Sequence, residues 1–216
     1  MKTERFKKPI NECVRCATCC KKGGPGLHLE DRKRIEDGAI PLKHLYTIRR
    51  GEPAYDNIKN CILPAASDII KITSKKNAHS CTFLDESNNA CSIYENRPLE
   101  CRVLKCWDTQ EIERIYAKNR LTRKDVLFQV KDIWNLVSDH EKRCSYSKIT
   151  EMLPFLMRQR DERSLQELRE MIRYDTHFRS LLAEKGGMDP ELMDFLFGRP
   201  LGETIKRFQP KISARL

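Results

Sequence analysis

The stretch CVRCATCC, Cys13 to Cys20, puts four cysteines into eight positions, the last two adjacent. Taken alone it has three readings: a disulfide knot, a redox dithiol, or half of a metal site. The leading segment MKTERFKKPINEC is charged and holds no apolar stretch, so no secretory signal is read there. No run approaches the roughly 18 apolar residues of a membrane helix, so no membrane span is expected. The expected compartment is cytoplasmic. Reducing cytosol disfavours structural disulfides and points a dense cysteine pattern toward metal binding or catalysis. Ten cysteines in 216 residues also fall below the density of a small disulfide scaffold, roughly 8–10%.

Eight of the ten cysteines form two runs: Cys13-x2-Cys16-x2-Cys19-Cys20, and Cys81-x9-Cys91-x9-Cys101-x4-Cys106. A two-residue gap lets a tight turn return both sulfurs to one side. Two overlapping gaps gather three thiols, as in bacterial ferredoxin runs. Here the fourth cysteine follows at once, and adjacent side chains usually point apart. Cys19 and Cys20 therefore serve either one centre or two. Cys101 and Cys106 would sit about 140° apart on an ideal helix, so a loop or helix end is expected between them.

CVRCATCC, then CTFLDESNNACSIYENRPLECR and KC, resemble the YkgJ-type CxxCxxCC cysteine-cluster family, a zinc- or iron-chelating domain. The resemblance covers roughly residues 13–106. It implies that Cys13, Cys16, Cys19, Cys20, Cys81, Cys91, Cys101 and Cys106 are the metal ligands. It also makes Arg97 and Arg102 part of the motif, as structural anchors. Some relatives carry the name flagellin lysine N-methylase, but no methyl-donor site is legible here.

All-thiolate sets suit both zinc and iron–sulfur clusters. Structural zinc commonly takes two separated CxxC pairs or cysteine–histidine mixtures. This chain has one overlapping triple and no second CxxC, so an iron–sulfur cluster is favoured over zinc. Eight thiols could fill two four-thiolate centres, or one centre with four thiols left for other duties. The leading expectation is a metal-binding protein. Its rivals are a protein lysine N-methylase or other iron–sulfur oxidoreductase, and an interaction module built on structural zinc. The expected partners are metal ions and, in the enzyme reading, a protein substrate.

Net charge is +10, with +7 carried by residues 1–106 and +3 by residues 107–216. A four-thiolate zinc site carries −2, so bound metal-thiolate groups would absorb much of the basic excess. Nucleic acid is therefore not an expected partner.

Nine of the ten cysteines precede residue 107. That break predicts an α+β chain: a cysteine-cluster domain over 1–110 with short helices and a β-hairpin, then a helical region over 111–216. LEDRKRIEDG reads as a helix ending at Gly38, and LKHLYTIRRG as a second ending at Gly51. SDIIKIT reads as a strand, and CTFL with CSIY as a hairpin across DESNNA. Pro98 suits a first helical turn. TRKDVLFQVKDIWNLV has helical apolar spacing throughout. SKITEMLPFLMRQR reads as helix interrupted by Pro154. Ser164 and Glu167 have capping-box spacing, and DPELMDFLFG runs from an Asp189 cap to a Gly198 stop.

The remaining candidates have plainer readings. Cys61 reads as a buried small apolar residue. His140 and Cys144 stand one helical turn apart, a spacing that could clip a metal, but HEKRC reads as a solvated helix end. His28, after the flexible GGPG, could approach the first run, but its plainer reading is an exposed histidine. Tyr94 and Phe83 are expected to pack beneath the site, with Arg15, Lys21, Lys22 and Lys105 as charge beside it. No Ser/His/Asp grouping, phosphate loop or HExxH occurs.

Overall fold

Ile, Thr and Tyr in LYTI and Ile in IIKI favour extended backbone, and each stretch completes the other's hydrogen bonds. The computed structural model describes residues 11–76, 78–157 and 161–216. Its strands are β1 (Leu45–Ile48), β2 (Pro53–Asp56), β3 (Cys61–Pro64), β4 (Ile69–Ile72), β5 (Leu84–Asp85) and β6 (Ala90–Cys91). They form antiparallel pairs: β1 with β4, β2 with β3, and β5 with β6.

The first pair sets Leu45 opposite Ile72 and Thr47 opposite Ile70, all four buried. Residues 25–29 extend it. The Leu27 amide donates to the Ile70 carbonyl (2.8 Å), and the Leu121 amide donates to the Leu27 carbonyl (3.0 Å). Gly24 permits this approach, because a Cβ there would collide with the Ile72 backbone. The GGPG stretch is thus pinned against β4 rather than free.

Among the described residues ten α-helices follow the first cysteine run: α1 (Arg32–Glu36), α2 (Leu99–Val103), α3 (Gln110–Ile115), α4 (Arg123–Leu127), α5 (Lys131–Arg143), α6 (Tyr146–Met157), α7 (Glu162–Glu184), α8 (Met193–Phe197), α9 (Leu201–Phe208) and α10 (Pro210–Ser213). The class is α+β, with a helical second half. Among the described residues no helix is long and apolar enough to cross a membrane.

Several local expectations are corrected. LKHLYTIRRG is not a helix: a short turn leads into β1, because pairing with β4 outweighs local periodicity. PAYD and CILP form an exposed hairpin with no alternation to announce it. TRKDVLFQVKDIWNLV splits into α4 and α5. The chain turns so that Leu127 and Val137 share one core while Phe128 and Val130 go to the surface. Helix α6 continues through Pro154, since Met152 and Leu156 on either side are buried against the helical core. The cap of α7 is Asp161, which accepts from the Ser164 amide at 3.3 Å; Ser164 itself is inside the helix. Asp189 and Gly198 cap and stop their segment as expected.

Two cores result. One joins Leu27, Leu45, Ile70 and Ile72 to Leu121, Val137, Phe195 and Phe197. The other lies among α6, α7 and α9, around Ile149, Leu168 and Leu201. Arg123, 3% exposed in its side chain, braces the elements around the first core. Its Nε and Nη2 donate to Asp68 at 2.7 and 3.0 Å, Nη2 also to Glu141 (2.9 Å), and Nη1 to the Leu196 carbonyl (2.9 Å). Removing one partner of such a pair leaves a buried charge alone. Arg123→Ala is expected to lower unfolding free energy by about 3–5 kcal/mol in urea titrations. The half-buried Arg32, paired with the exposed Glu36, should lose less than about 1 kcal/mol on the same change. Equal effects for the two would show that Arg123 is not a brace.

Candidate metal centre

The first run is coiled by its backbone. Arg15 and Ala17 both adopt positive φ, 51° and 57°, which non-glycine residues rarely do. Each sits between cysteines and reverses the chain. The Lys21 amide then donates to the Ala17 carbonyl (2.9 Å), closing a turn that carries Cys19 and Cys20. Their sulfurs lie 3.9 Å apart, so these adjacent side chains point to the same side.

The second run is brought to the first by backbone. The Cys81 amide donates to the Cys20 carbonyl at 2.8 Å. Cys81 is buried; Cys91 stands opposite Leu84 in the β5–β6 hairpin. Cys101 lies in α2, whose first amide, Leu99, donates to Asp31 Oδ1 (2.8 Å). Its neighbour Glu100 accepts from the Gly26 amide (2.6 Å) and Arg120 Nη1 (2.5 Å). Burial pushes the Glu100 carboxyl up, but His28 and the charges of Arg120 and Lys71 outweigh it and hold it at about 2. Helix α2 ends at Val103, so Cys106 follows a helix end, as its spacing from Cys101 required.

The electrostatics define which sulfurs are neighbours. The Cys20 thiol donates to Cys19, and this bond first, with a smaller part from Arg97, lowers Cys19 to about 6. The same bond, then burial and the charges of Cys19, Cys101 and Cys81, pushes Cys20 up. Burial and then Cys81, Cys19 and Cys91 push Cys101 up. Burial, then Cys91 and Cys19, does the same to Cys81. Cys19, Cys20, Cys81, Cys91 and Cys101 therefore share one neighbourhood in which one ionised thiol opposes the next. Cys16 stands at its rim: the Thr18 hydroxyl donates to its sulfur (3.2 Å) and lowers it. Cys13 and Cys106 are exposed. Among the described residues, no three cysteine sulfurs lie within 4.8 Å of one another.

Arg97 and Arg15 stack on the half-buried Tyr94 ring, 3.5 and 4.5 Å from its centroid. The Arg97 guanidinium is thereby fixed near Cys19. Phe83 packs at the edge of the first core against His44. Arg102 and Lys105 pair with Glu30 (3.8 Å) and Glu111 (3.0 Å).

Three side-residue expectations change. His28 is buried, not exposed, and its Nδ1 donates to the Lys118 carbonyl (2.8 Å) where the chain crosses residues 118–120. Cys61 is exposed on β3 opposite Asp56, not buried. His140 and Cys144 are fully buried rather than solvated, because α5 carries on through Arg143 and packs against α7. Asp175, which joins them, had no sequence signal: a lone carboxylate in a polar helix reads as surface.

A family model described as "CxxCxxCC: Putative zinc- or iron-chelating domain" matches residues 12–121. No curated protein and no solved structure matches the chain. The matched segment begins just before Cys13 and ends at Leu121, the residue that bonds back to Leu27. It spans both cysteine runs and just over half the chain, so the chain belongs to the CxxCxxCC family of zinc- or iron-chelating domains.

Proposed function

We propose that the protein holds a thiolate-ligated metal centre, with Cys13, Cys16, Cys19, Cys20, Cys81, Cys91, Cys101 and Cys106 as its ligand set, and that an iron–sulfur cluster is its occupant in preference to zinc. The observation that carries this reading is the junction of the two runs, where the Cys81 amide bonds the Cys20 carbonyl at 2.8 Å and Cys20, Cys81 and Cys101 are each raised in part by the charge of cysteines from the other run. Cys81, which is buried, and the half-buried Cys20 and Cys101 cannot all ionise beside other thiolates without a cation; a metal supplies that charge, and thiolate is a soft ligand suited to it.

The donor set fits either metal in kind. Tetrahedral zinc, with Zn–S near 2.3 Å, sets sulfurs about 3.8 Å apart. The Cys19–Cys20 pair at 3.9 Å matches that edge, but no third sulfur closes to it. The overlapping Cys13, Cys16 and Cys19 triple, with no second CxxC, favours a cluster. An iron–sulfur group supplies one-electron chemistry or a structural clamp. The chain's own part is to gather the thiols, to fix Arg97 against Cys19 through Tyr94, and to hold α2 through Asp31 and Glu100. The helical region over 111–216 is read as the scaffold for this domain.

Anaerobic purification followed by iron, acid-labile sulfide and zinc assays tests the reading. Iron with matching sulfide supports the cluster; zinc alone replaces it with a structural-zinc module; a folded chain with neither metal refutes both. Cys101→Ser is expected to lose metal and stability, while Cys61→Ser keeps both. Loss of metal from the Cys61 variant would mean the ligand set is incomplete.

Metal loading should also depend on pH in a fixed direction. Cys20, Cys81 and Cys101 are raised, so each is protonated near neutrality without metal, and binding must release those protons. Apparent affinity in chelator competition is expected to fall by about tenfold or more for each pH unit lowered from 8 to 6. A flat profile would show that these thiols are not ligands.

A further inference from the structure

A second group of metal-ligating side chains lies in the helical half. His140 on α5, Cys144 just after it and Asp175 on α7 are 0%, 0% and 1% exposed. One ligand atom from each lies within 4.8 Å of the other two. His140 and Cys144 stand one helical turn apart, which puts them on one face. His140 Nε2 is 2.7 Å from Asp175 Oδ1, and His140 Nδ1 has no partner at all. The Cys144 thiol has only a long contact, 3.7 Å, to the Met171 carbonyl. Asp175 Oδ2 accepts one bond, from the Leu201 amide (2.8 Å), and keeps a free lone pair.

An unpartnered imidazole nitrogen in a dry interior is costly. The rings of Phe197, Phe178 and Tyr174 surround His140, with centroids 5.0, 5.5 and 6.4 Å away, and offer its Nδ1 lone pair no hydrogen-bond donor. Imidazole, thiolate and carboxylate together form a mixed set suited to a borderline cation. Ligand atoms on tetrahedral zinc lie roughly 3.3–3.8 Å apart, so separations within 4.8 Å need to change by no more than about 1.5 Å to close on a cation.

Two guanidiniums stand close by and would repel a cation, but each lies near a further carboxylate, Glu141 being shared with Arg123, whose own charge Asp68 offsets. Arg49 Nη1 is 3.7 Å from Glu141, and Arg179 Nη1 is 3.7 Å from Asp194. Arg179 Nε also donates to Asp175 Oδ1 at 2.9 Å, where it would orient a ligating carboxylate. With both pairs neutral, a dication is balanced by the Cys144 thiolate and the Asp175 carboxylate.

We propose that His140, Cys144 and Asp175 form a second metal site, for a single zinc-type divalent cation, separate from the cysteine-cluster domain. On binding, the Cys144 S–H bond breaks, sulfur keeps the electron pair and donates it to the cation, and the proton leaves to solvent. His140 stays neutral and donates one nitrogen lone pair, its single N–H residing on the other nitrogen. The fourth position of the cation falls to a water.

The test compares wild type, Cys144→Ala, His140→Gln and Cys101→Ser, each dialysed against zinc and then buffer, with zinc and iron counted per chain. The expected result is about one zinc fewer in Cys144→Ala and His140→Gln, with iron unchanged, and retention of that zinc in Cys101→Ser. Wild-type zinc content in both helical variants overturns the proposal while leaving the cluster reading intact. Should those variants fail to fold, as judged by circular dichroism, cadmium-113 NMR of the wild-type chain decides. A resonance well upfield of the all-thiolate region supports a mixed nitrogen, oxygen and single-sulfur site; all-thiolate resonances alone at saturating cadmium refute it.

Discussion

One backbone hydrogen bond, from the Cys81 amide to the Cys20 carbonyl, sets the geometry of the cysteine-rich half. It closes a long loop of chain, and loop closure costs entropy that local contacts must repay. The repayment comes from the strand pair enclosed by the loop. Leu45, Ile70 and Ile72 are buried there, and residues 25–29 run alongside them. The polar braces at the loop's rim act on the same backbone. Asp31 caps α2 and Glu100 takes the Gly26 amide, so the helix bearing Cys101 is tied to the strand that follows Cys20. Backbone hydrogen bonds thus bring the two cysteine runs next to each other.

Charge then explains the composition. The first half carries +7, an excess that invites a nucleic-acid reading when taken alone. Arg15 and Arg97 are instead drawn onto Tyr94, and Arg97 lowers Cys19. Arg120 and Lys71 act on Glu100. These cations face a neutral ring, Cys19 and Glu100 and do not form a free basic surface.

The cysteine order and the α+β class were legible because both are written in local spacing. Two-residue gaps must turn, and nine cysteines before residue 107 mark the change of character. The identity of β1 was not legible, since LYTI becomes a strand only through Ile69–Ile72, well along the chain. His28 was misread because its partners, the Lys118 carbonyl and Glu100, are equally remote. The direction of the Cys19 and Cys20 side chains depended on left-handed backbone at Arg15 and Ala17, which neither residue type announces. Asp175 is the extreme case: its role lies wholly in the groups that fold back onto it.

The two halves are not energetically separate. Leu27 and Leu45 from the cysteine-rich half share a core with Leu121, Val137 and Phe197. The Thr47 hydroxyl donates to the Phe195 carbonyl (2.6 Å), and Arg123 reaches back to Asp68, just before β4. A small strand pair with two faces to cover cannot stand alone in water. Here the helices cover one face, and their packing is what keeps β1 and β4 in register. The positions of Cys20 and Cys81 follow from that register. The geometry of the sulfurs is therefore set in part by apolar contacts in a helical region that holds only one cysteine, Cys144.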